Sequence, residues 1–141
     1  AIGVRGPFTL MAEYMNAFVS GTLTSNASLT YWQIGGSWFI TGENRKYNKN
    51  NGNLGKLLPK KAFDFSKDSG PGAFELGMRY TQTDMTDGNI IGGQFNRFTT
   101  ALSWYPNAHF RLDATYGKGS LDRNELIGKT DFWQFRLQFE I

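Results

Sequence analysis

The clearest pattern in the chain is alternation. In Asp131 to Ile141 (DFWQFRLQFEI), Trp133, Phe135, Leu137, Phe139 and Ile141 fall on one side of an extended chain. Gln134, Arg136, Gln138 and Glu140 fall on the other, with Phe132 as the exception to an otherwise polar face. Successive residues of a strand point to opposite faces, so this stretch predicts a strand with one continuous apolar surface and one wet surface. Something apolar must cover the first, and two structures offer this: the facing sheet of a β-sandwich, or the lipid around a β-barrel.

The same period recurs along the chain. Ala1 to Arg5 reads as the tail of a strand stopped by Gly6-Pro7. From Phe8, the residues Leu10, Ala12, Tyr14 and Phe18 oppose Thr9, Met11, Glu13 and Met15. Leu29 to Thr41 groups Trp32, Ile34, Gly36, Trp38 and Ile40. Ala73 to Thr83 sets Phe74, Leu76, Met78 and Tyr80 against Glu75, Gly77, Arg79 and Thr81. Asn96 to Tyr105 sets Phe98, Thr100, Leu102 and Trp104 against Arg97, Thr99, Ala101 and Ser103. His109 to Lys118 sets Phe110, Leu112, Ala114 and Tyr116 against Arg111, Asp113 and Thr115. Between these runs, Ser20 to Ser28, Asp84 to Gly93 and Gly119 to Thr130 read as loops, and Pro106 to Ala108 as a tight turn. The expectation is six strands of about ten residues, plus a fragment of a seventh, each able to cross about 23 Å at a 45° tilt.

The distribution of rings separates the two coverings. On the apolar faces, aromatics gather toward strand ends and smaller residues hold the middles, apart from Phe135. A sandwich core concentrates its bulk centrally, whereas a barrel in lipid carries two aromatic belts. Trp32, Trp38, Tyr80, Trp104, Tyr116, Trp133 and Phe139 are therefore the candidate lipid-interface residues. With the C-terminus on the periplasmic side, the short turns lie there and the longer loops outside, as a barrel predicts. Glu43 to Gly72 is the misfit, a long connection on the side of short turns.

Composition sharpens that misfit. The net charge is +3, yet Glu43 to Lys67 alone carries seven basic residues (Arg45, Lys46, Lys49, Lys56, Lys60, Lys61 and Lys67) against Glu43 and Asp64, a local +5 that leaves −2 for the rest. No run of about 18 apolar residues exists, which excludes a transmembrane helix and says nothing against a barrel. The absence of cysteine removes disulfides and thiolate metal sites. Nothing at Ala1 resembles a signal peptide, so one was removed or the chain starts inside a longer parent.

Several of these stretches have a known likeness. GAFELGMRYTQTDM (Gly72 to Met85), ALSWYPNAHFRLDATY (Ala101 to Tyr116) and the closing FWQFRLQFEI resemble the C-terminal strands of the phosphate-selective porin O and P family, as do GPFTLMAEYM (Gly6 to Met15) and FITGENRKY (Phe39 to Tyr47). The resemblance implies an all-β fold, an antiparallel transmembrane barrel of sixteen strands in the bacterial outer membrane, assembled as a homotrimer. Residues 1–141 would then supply about the last six strands of one barrel domain, completed by N-terminal strands. Family members fold long connections into the lumen, which accounts for residues 43–72. The family's arginine ladder and lysines lie largely outside the matching stretches, so phosphate specificity does not carry over. The chain ends in Ile141 where such barrels usually end in an aromatic, so Phe139 or Ile141 is expected to act as the assembly signal.

For chemistry, the wet faces offer Arg79, Arg97, Arg111 and Arg136 as pore-lining, anion-binding groups, with guanidinium forks suited to a permeating oxyanion. The opposing expectation is charge balance, since Glu13, Glu75, Asp113 and Glu140 share that wall. Lys46, Lys49, Lys56, Lys60 and Lys61 form a candidate electrostatic funnel for anions at the inner mouth, against a solvated loop or an acidic partner. His109 with Ser103 is a weak catalytic pairing with no third group to orient it. Asp84, Asp87 and Asn89 read as turn residues before they read as a cation site. Gly35-Gly36 and Gly92-Gly93 match no phosphate-loop spacing, and Gly35-Gly36 instead permits close approach of strands or subunits. The expected function is passive diffusion of small, anionic solutes with no cofactor, no covalent chemistry and no nucleic-acid partner. The rivals are a soluble aromatic-rich β-sandwich that binds carbohydrate and a basic nucleic-acid barrel, the latter disfavoured because the basic residues cluster in a loop with few rings.

Overall fold

A computed structural model describes residues 1–21, 24–45, 47–48, 52–66 and 69–140, with residues 24–25, 47–48 and 53–54 described by their backbone alone. The strands are β1 (Ile2–Arg5), β2 (Phe8–Gly21), β3 (Thr24–Phe39), β4 (Tyr47–Asn48), β5 (Asn53–Leu54), β6 (Ala73–Asp87), β7 (Ile90–Tyr105), β8 (Phe110–Arg123) and β9 (Leu126–Phe139). Seven of them form one antiparallel sheet in the order β1-β2-β3-β6-β7-β8-β9, and β4 pairs with β5 in a separate two-residue ladder. The main sheet is open, with β1 and β9 at its edges, and among the described residues no helix occurs. Six full strands and a fragment match the alternation.

Their lengths do not. The strands run to 14–16 residues, and the three stretches read as long loops are the far ends of hairpins. Gly21 pairs with Thr24, Asp87 with Ile90 across Gly88-Asn89, and Arg123 with Leu126 across Asn124-Glu125. Both Asn124 (φ 50°) and Glu125 (φ 66°) are left-handed, as a two-residue hairpin turn of the primed type requires. Gly6 (φ 58°) serves the same purpose between β1 and β2. At that end β7 and β8 are joined through Pro106 to His109, where the Asn107 side chain accepts from the backbone amides of His109 and Phe110 at 2.9 and 3.2 Å.

The register explains why the strands outrun their alternation. Cross-strand partners share a face, so Phe8 and Trp38, Phe74 and Trp104, and Phe110 and Phe139 form one belt at the Gly6 end. Tyr14 and Trp32, Tyr80 and Phe98, and Tyr116 and Trp133 form a second belt. On all six strands the belts stand six positions apart, from Phe8 to Tyr14 and from Trp133 to Phe139. Trp38 pairs with Leu76, two residues beyond Phe74, and Trp104 pairs with Leu112, two residues beyond Phe110. Each belt thus slips two residues for every two strands. One residue of rise (~3.3 Å) per strand spacing (~4.8 Å) means strands inclined about 35° to the belts, the tilt of a membrane barrel. Along the barrel axis, six residues at that tilt put the belts about 16 Å apart.

Outside the second belt the same face turns polar on β6 to β9, with Gln82 and Asp84, Gln94 and Asn96, Lys118 and Ser120, and Lys129 and Asp131, while β2 still carries the exposed Phe18. Between the belts it carries Leu10, Ile34, Leu76, Met78, Leu102, Leu112, Phe135 and Leu137, all at least partly exposed. Alternation therefore ends at the second belt while the hydrogen-bonded ladder continues seven or eight residues further, as from Tyr80 to Asp87 and from Phe98 to Ile90. No second sheet covers the apolar face among the described residues.

The buried core lies on the polar face at the Gly6 end, where Phe39, Ala73 and Tyr105 enclose Leu57 of the long connection. The connection re-enters β6 through Gly72 at φ 75°, where an added Cβ would lie 2.5 Å from the Tyr105 carbonyl and 2.8 Å from the Trp104 indole nitrogen. In the intact protein Gly72→Ala is expected to cost about 1–3 kcal/mol, read as a lower urea midpoint. Gly3→Ala, with nothing within 4 Å, should leave the midpoint in place. Equal midpoints for both variants would contradict the packing at Gly72.

Candidate functional site: a cationic trough on the polar face

Where β3, β6, β7 and β8 run side by side, their polar-face residues are small: Gly35, Ser37, Gly77, Thr99, Ala101, Ser103 and Thr115. They floor a trough of about 490 Å³ whose walls carry Arg45, Arg79, Arg111 and Arg136 with Glu75 and Asp113. Four guanidiniums against two carboxylates leave an excess of two positive charges. Small floor residues let long side chains lie across the sheet, and Gly35 pairs directly with Arg79.

The carboxylates organise the cations. Asp113 is buried and accepts from Arg111 Nε at 2.7 Å on one oxygen and from Arg136 Nε at 2.8 Å on the other. Arg111 also donates to the Ser103 hydroxyl at 3.2 Å and lies 5.1 Å from the centre of the Tyr105 ring. Glu75, also buried, accepts from Arg45 at 3.0 Å and from the Tyr105 hydroxyl at 2.7 Å. Arg45 donates to that hydroxyl as well and sits 5.5 Å from the Phe39 ring centre. A continuous chain of contacts therefore runs from Arg45 through Glu75, Tyr105, Arg111 and Asp113 to Arg136. Asp113 and Arg136 are paired across β8 and β9, so the ladder register itself sets their separation.

Of the arginines expected from the sequence, Arg79, Arg111 and Arg136 come together here and Arg97 does not. Arg97 lies further along β7, 5.9 Å from the Phe95 ring, with Nε buried and without a hydrogen-bond partner among the described residues. The expected charge balance is met at Glu75 and Asp113, whereas Glu13 accepts from Gln33 at 2.8 Å. Arg45 was legible only as part of a basic loop. Its insertion beside Phe39 depends on how the connection folds back, which no periodicity reports.

The lysines are dispersed. Lys46 and Lys49 lie outside the described residues. Lys56 lines a smaller hollow of about 170 Å³ beside Arg45, Tyr105 and Arg111. Lys60 donates from Nζ to the Gly42 carbonyl at 2.6 Å, and Lys61 accepts through its carbonyl from the Gly72 amide at 3.1 Å. Nearby, hydrogen bonds from Ser66 hold the exposed Asp64 carboxyl below its ordinary pKa.

Other candidates resolve locally. His109 contacts the Glu140 carbonyl at 2.9 Å through Nδ1, while the Ser103 hydroxyl is engaged by Arg111. Asp84 accepts from Gln94 and the Thr86 amide, and Asp87 from the Ser28 amide, all within the hairpin ends. Among the described residues no group of three His, Cys, Asp or Glu side chains could hold a metal. Trp32, Trp38, Tyr80, Trp104, Tyr116, Trp133 and Phe139 all stand in the two belts, with Phe8–Trp38 and Phe74–Trp104 stacked and Trp32–Tyr80 and Tyr116–Trp133 tilted. Ile141 lies outside the described residues.

A single tilted sheet, apolar between two aromatic belts on one face and cationic on the other, has the geometry of a stretch of membrane β-barrel wall. Comparison with known sequences agrees: the profile of the family described as "Phosphate-selective porin O and P" matches residues 1–141. This chain belongs to that family. It is similar to an uncharacterized protein from Caulobacter vibrioides, 32% identical over 72% of this chain, and spans 22% of that relative's length.

The network makes Glu75 the anchor of the connection. Glu75→Gln removes the charge paired with Arg45 and is expected to weaken docking of the connection by about 3 kcal/mol. The measurement is tryptic cleavage at Lys56, Lys60 and Lys61 in the folded porin, which should accelerate on the order of a hundredfold as the open population rises. An unchanged cleavage rate would remove Glu75 from that role.

Proposed function

We propose that the chain is the C-terminal part, residues 1–141, of a single outer-membrane porin barrel that passes small anions by diffusion. The observation that carries this reading is the trough, which holds four guanidiniums against two carboxylates on the face turned away from the belts. Family membership supports the channel and the outer-membrane location, and by analogy with the family a sixteen-stranded barrel and a homotrimer. N-terminal strands of the same porin pair with the open edges, since unpaired backbone groups are not tolerated in lipid.

The mechanism follows from how the cations are held. Arg111 and Arg136 share Asp113, so each keeps part of its donor set for a passing solute. Their forks replace water on an anion, and oxyanions such as phosphate suit that geometry best. Because Asp113 continues to compete, the anion is attracted without being trapped, as conduction requires. The connection, docked through Leu57 and Arg45 on the polar face at one mouth, narrows the route.

In planar bilayers with a potassium chloride gradient, Arg111→Glu with Arg136→Glu changes the trough from +2 to −2 and is expected to lower the chloride-to-potassium permeability ratio by about tenfold. Asp113→Asn should raise it. Charge reversal at Lys56, beside the trough, should have the same sign as the arginine reversals, and reversal at Lys60 or Lys61 a smaller effect. Selectivity indifferent to Arg111, Arg136 and Asp113 together would overturn the assignment. The parent polypeptide, extracted in detergent, is expected to migrate as an oligomer that shifts on heating, and a freely soluble species without a heat shift would return the sandwich to consideration.

A further inference from the structure

The long connection crosses from one face of the sheet to the other. At Leu57 it is buried on the polar face, against Phe39 and Tyr105. At Phe63 it is on the apolar face: the Phe63 amide donates to the Pro106 carbonyl at 2.7 Å, and its ring meets Trp104 edge-on at 5.3 Å. Trp104 belongs to the first belt, and its indole nitrogen donates to the Pro71 carbonyl at 2.9 Å. The chain therefore wraps round the rim.

Past the rim it closes a small loop. The Gly70 amide donates to Ala62 at 2.9 Å and the Gly72 amide to Lys61 at 3.1 Å, while Asp64 accepts from the Ser66 amide at 2.7 Å. An added Cβ at Gly70 would lie 2.3 Å from the Lys61 side chain, so the two limbs are in close contact. The loop presents Phe65, whose ring lies 5.5 Å from Phe63 and whose side chain is fully exposed at 101%. Holding a phenylalanine in water forgoes the stabilisation that burial supplies. Through Phe63 the Phe65 ring joins Trp104, which stacks on Phe74, so the rings run on from the first aromatic belt. Lys60 and Lys61 stand exposed at the base of the loop.

We propose that this loop is a membrane anchor on the short-turn side of the porin: Phe65 enters the interfacial zone of the leaflet, and Lys60 and Lys61 meet the phosphates of anionic phospholipid. The inference rests on the reading of the sheet as a membrane wall. Continuity with the belt and charge complementarity select the occupant, because an apolar ring on a loop whose base carries the exposed Lys60 and Lys61 fits an anionic headgroup region, one Lys60 ammonium donor being held by the Gly42 carbonyl. Part of the basic segment thereby serves the outside of the barrel, which separates Lys60 and Lys61 from Arg45 and Lys56 beside the trough.

The test uses the full-length porin reconstituted in phosphatidylcholine vesicles with or without phosphatidylglycerol. This chain has no cysteine, so Phe65→Cys, and Phe135→Cys as a mid-band reference, accept an environment-sensitive fluorophore once any cysteine elsewhere in the porin is replaced. Lipids brominated near the headgroup should quench the probe at 65 more than lipids brominated deep in the chain, and phosphatidylglycerol should strengthen that contact. Lys61→Glu should reduce the phosphatidylglycerol preference at 65 by about fivefold per unit of charge and leave the probe at 135 unaffected. A probe at 65 that iodide reaches and bromolipid does not, with 135 still quenched, would overturn the anchor and leave the membrane wall standing. A probe at 65 shielded from both quenchers would mean that protein covers it and would also overturn the lipid assignment. Absence of bromolipid quenching at both positions would overturn the membrane wall itself.

Discussion

A backbone that crosses lipid must satisfy every amide and carbonyl within its own ladder, and this requirement organises the molecule. An antiparallel sheet meets it along its interior strands and leaves side chains as the only variable. One face is then free to be apolar and the other to be charged. The two belts mark where the apolar condition begins and ends, and their slip of two residues per hairpin records the strand tilt without reference to the rest of a barrel. Beyond the second belt the belt-side face of β6 to β9 becomes polar while the ladder continues, and the opposite face carries Phe95, Leu121 and Phe132, because backbone pairing does not dictate what the side chains are.

On the polar face, two buried carboxylates hold three guanidiniums in a fixed arrangement. A buried ion pair contributes little net stability when each charge is only just compensated, but it fixes positions well. Asp113 receives Arg111 from its own strand and Arg136 from the next, and Glu75 receives Arg45 from a distant loop. The small residues beneath, Gly35, Gly77 and Ala101, matter because larger ones would occupy the space that the long side chains cross. An excess of positive charge and a preorganised set of donors thus come from one arrangement, and the proposed anion passage needs both.

The long connection divides its residues between these environments. Leu57 and Arg45 close the core beneath one mouth, whereas Phe63 and Phe65 extend the aromatic belt on the other side of the rim. Read as composition, the segment is predominantly basic and lacks a period, and so it suggests a single role. Folded, it has two sides, because Gly72 and the hydrogen bond from Trp104 to Pro71 force it round the sheet's edge. The hairpin ends mislead in the opposite direction. Asp84 to Gly93 and Gly119 to Thr130 have loop composition and strand structure, since the face that is apolar between the belts is polar there and no longer marks a strand.

By itself, the sequence determined the all-β class, the number of strands in the main sheet, the apolar face of each, the residues of both belts and the wall on which the arginines stand. All of these follow from a period of two, which a linear sequence displays directly. Only the tertiary structure decided which arginines meet. Register placed Arg111 and Arg136 on Asp113, left Arg97 stacked on Phe95, and brought Arg45 to Glu75 across 30 positions of chain. Such meetings depend on how strands are offset and where a connection returns, and those are properties of several segments at once.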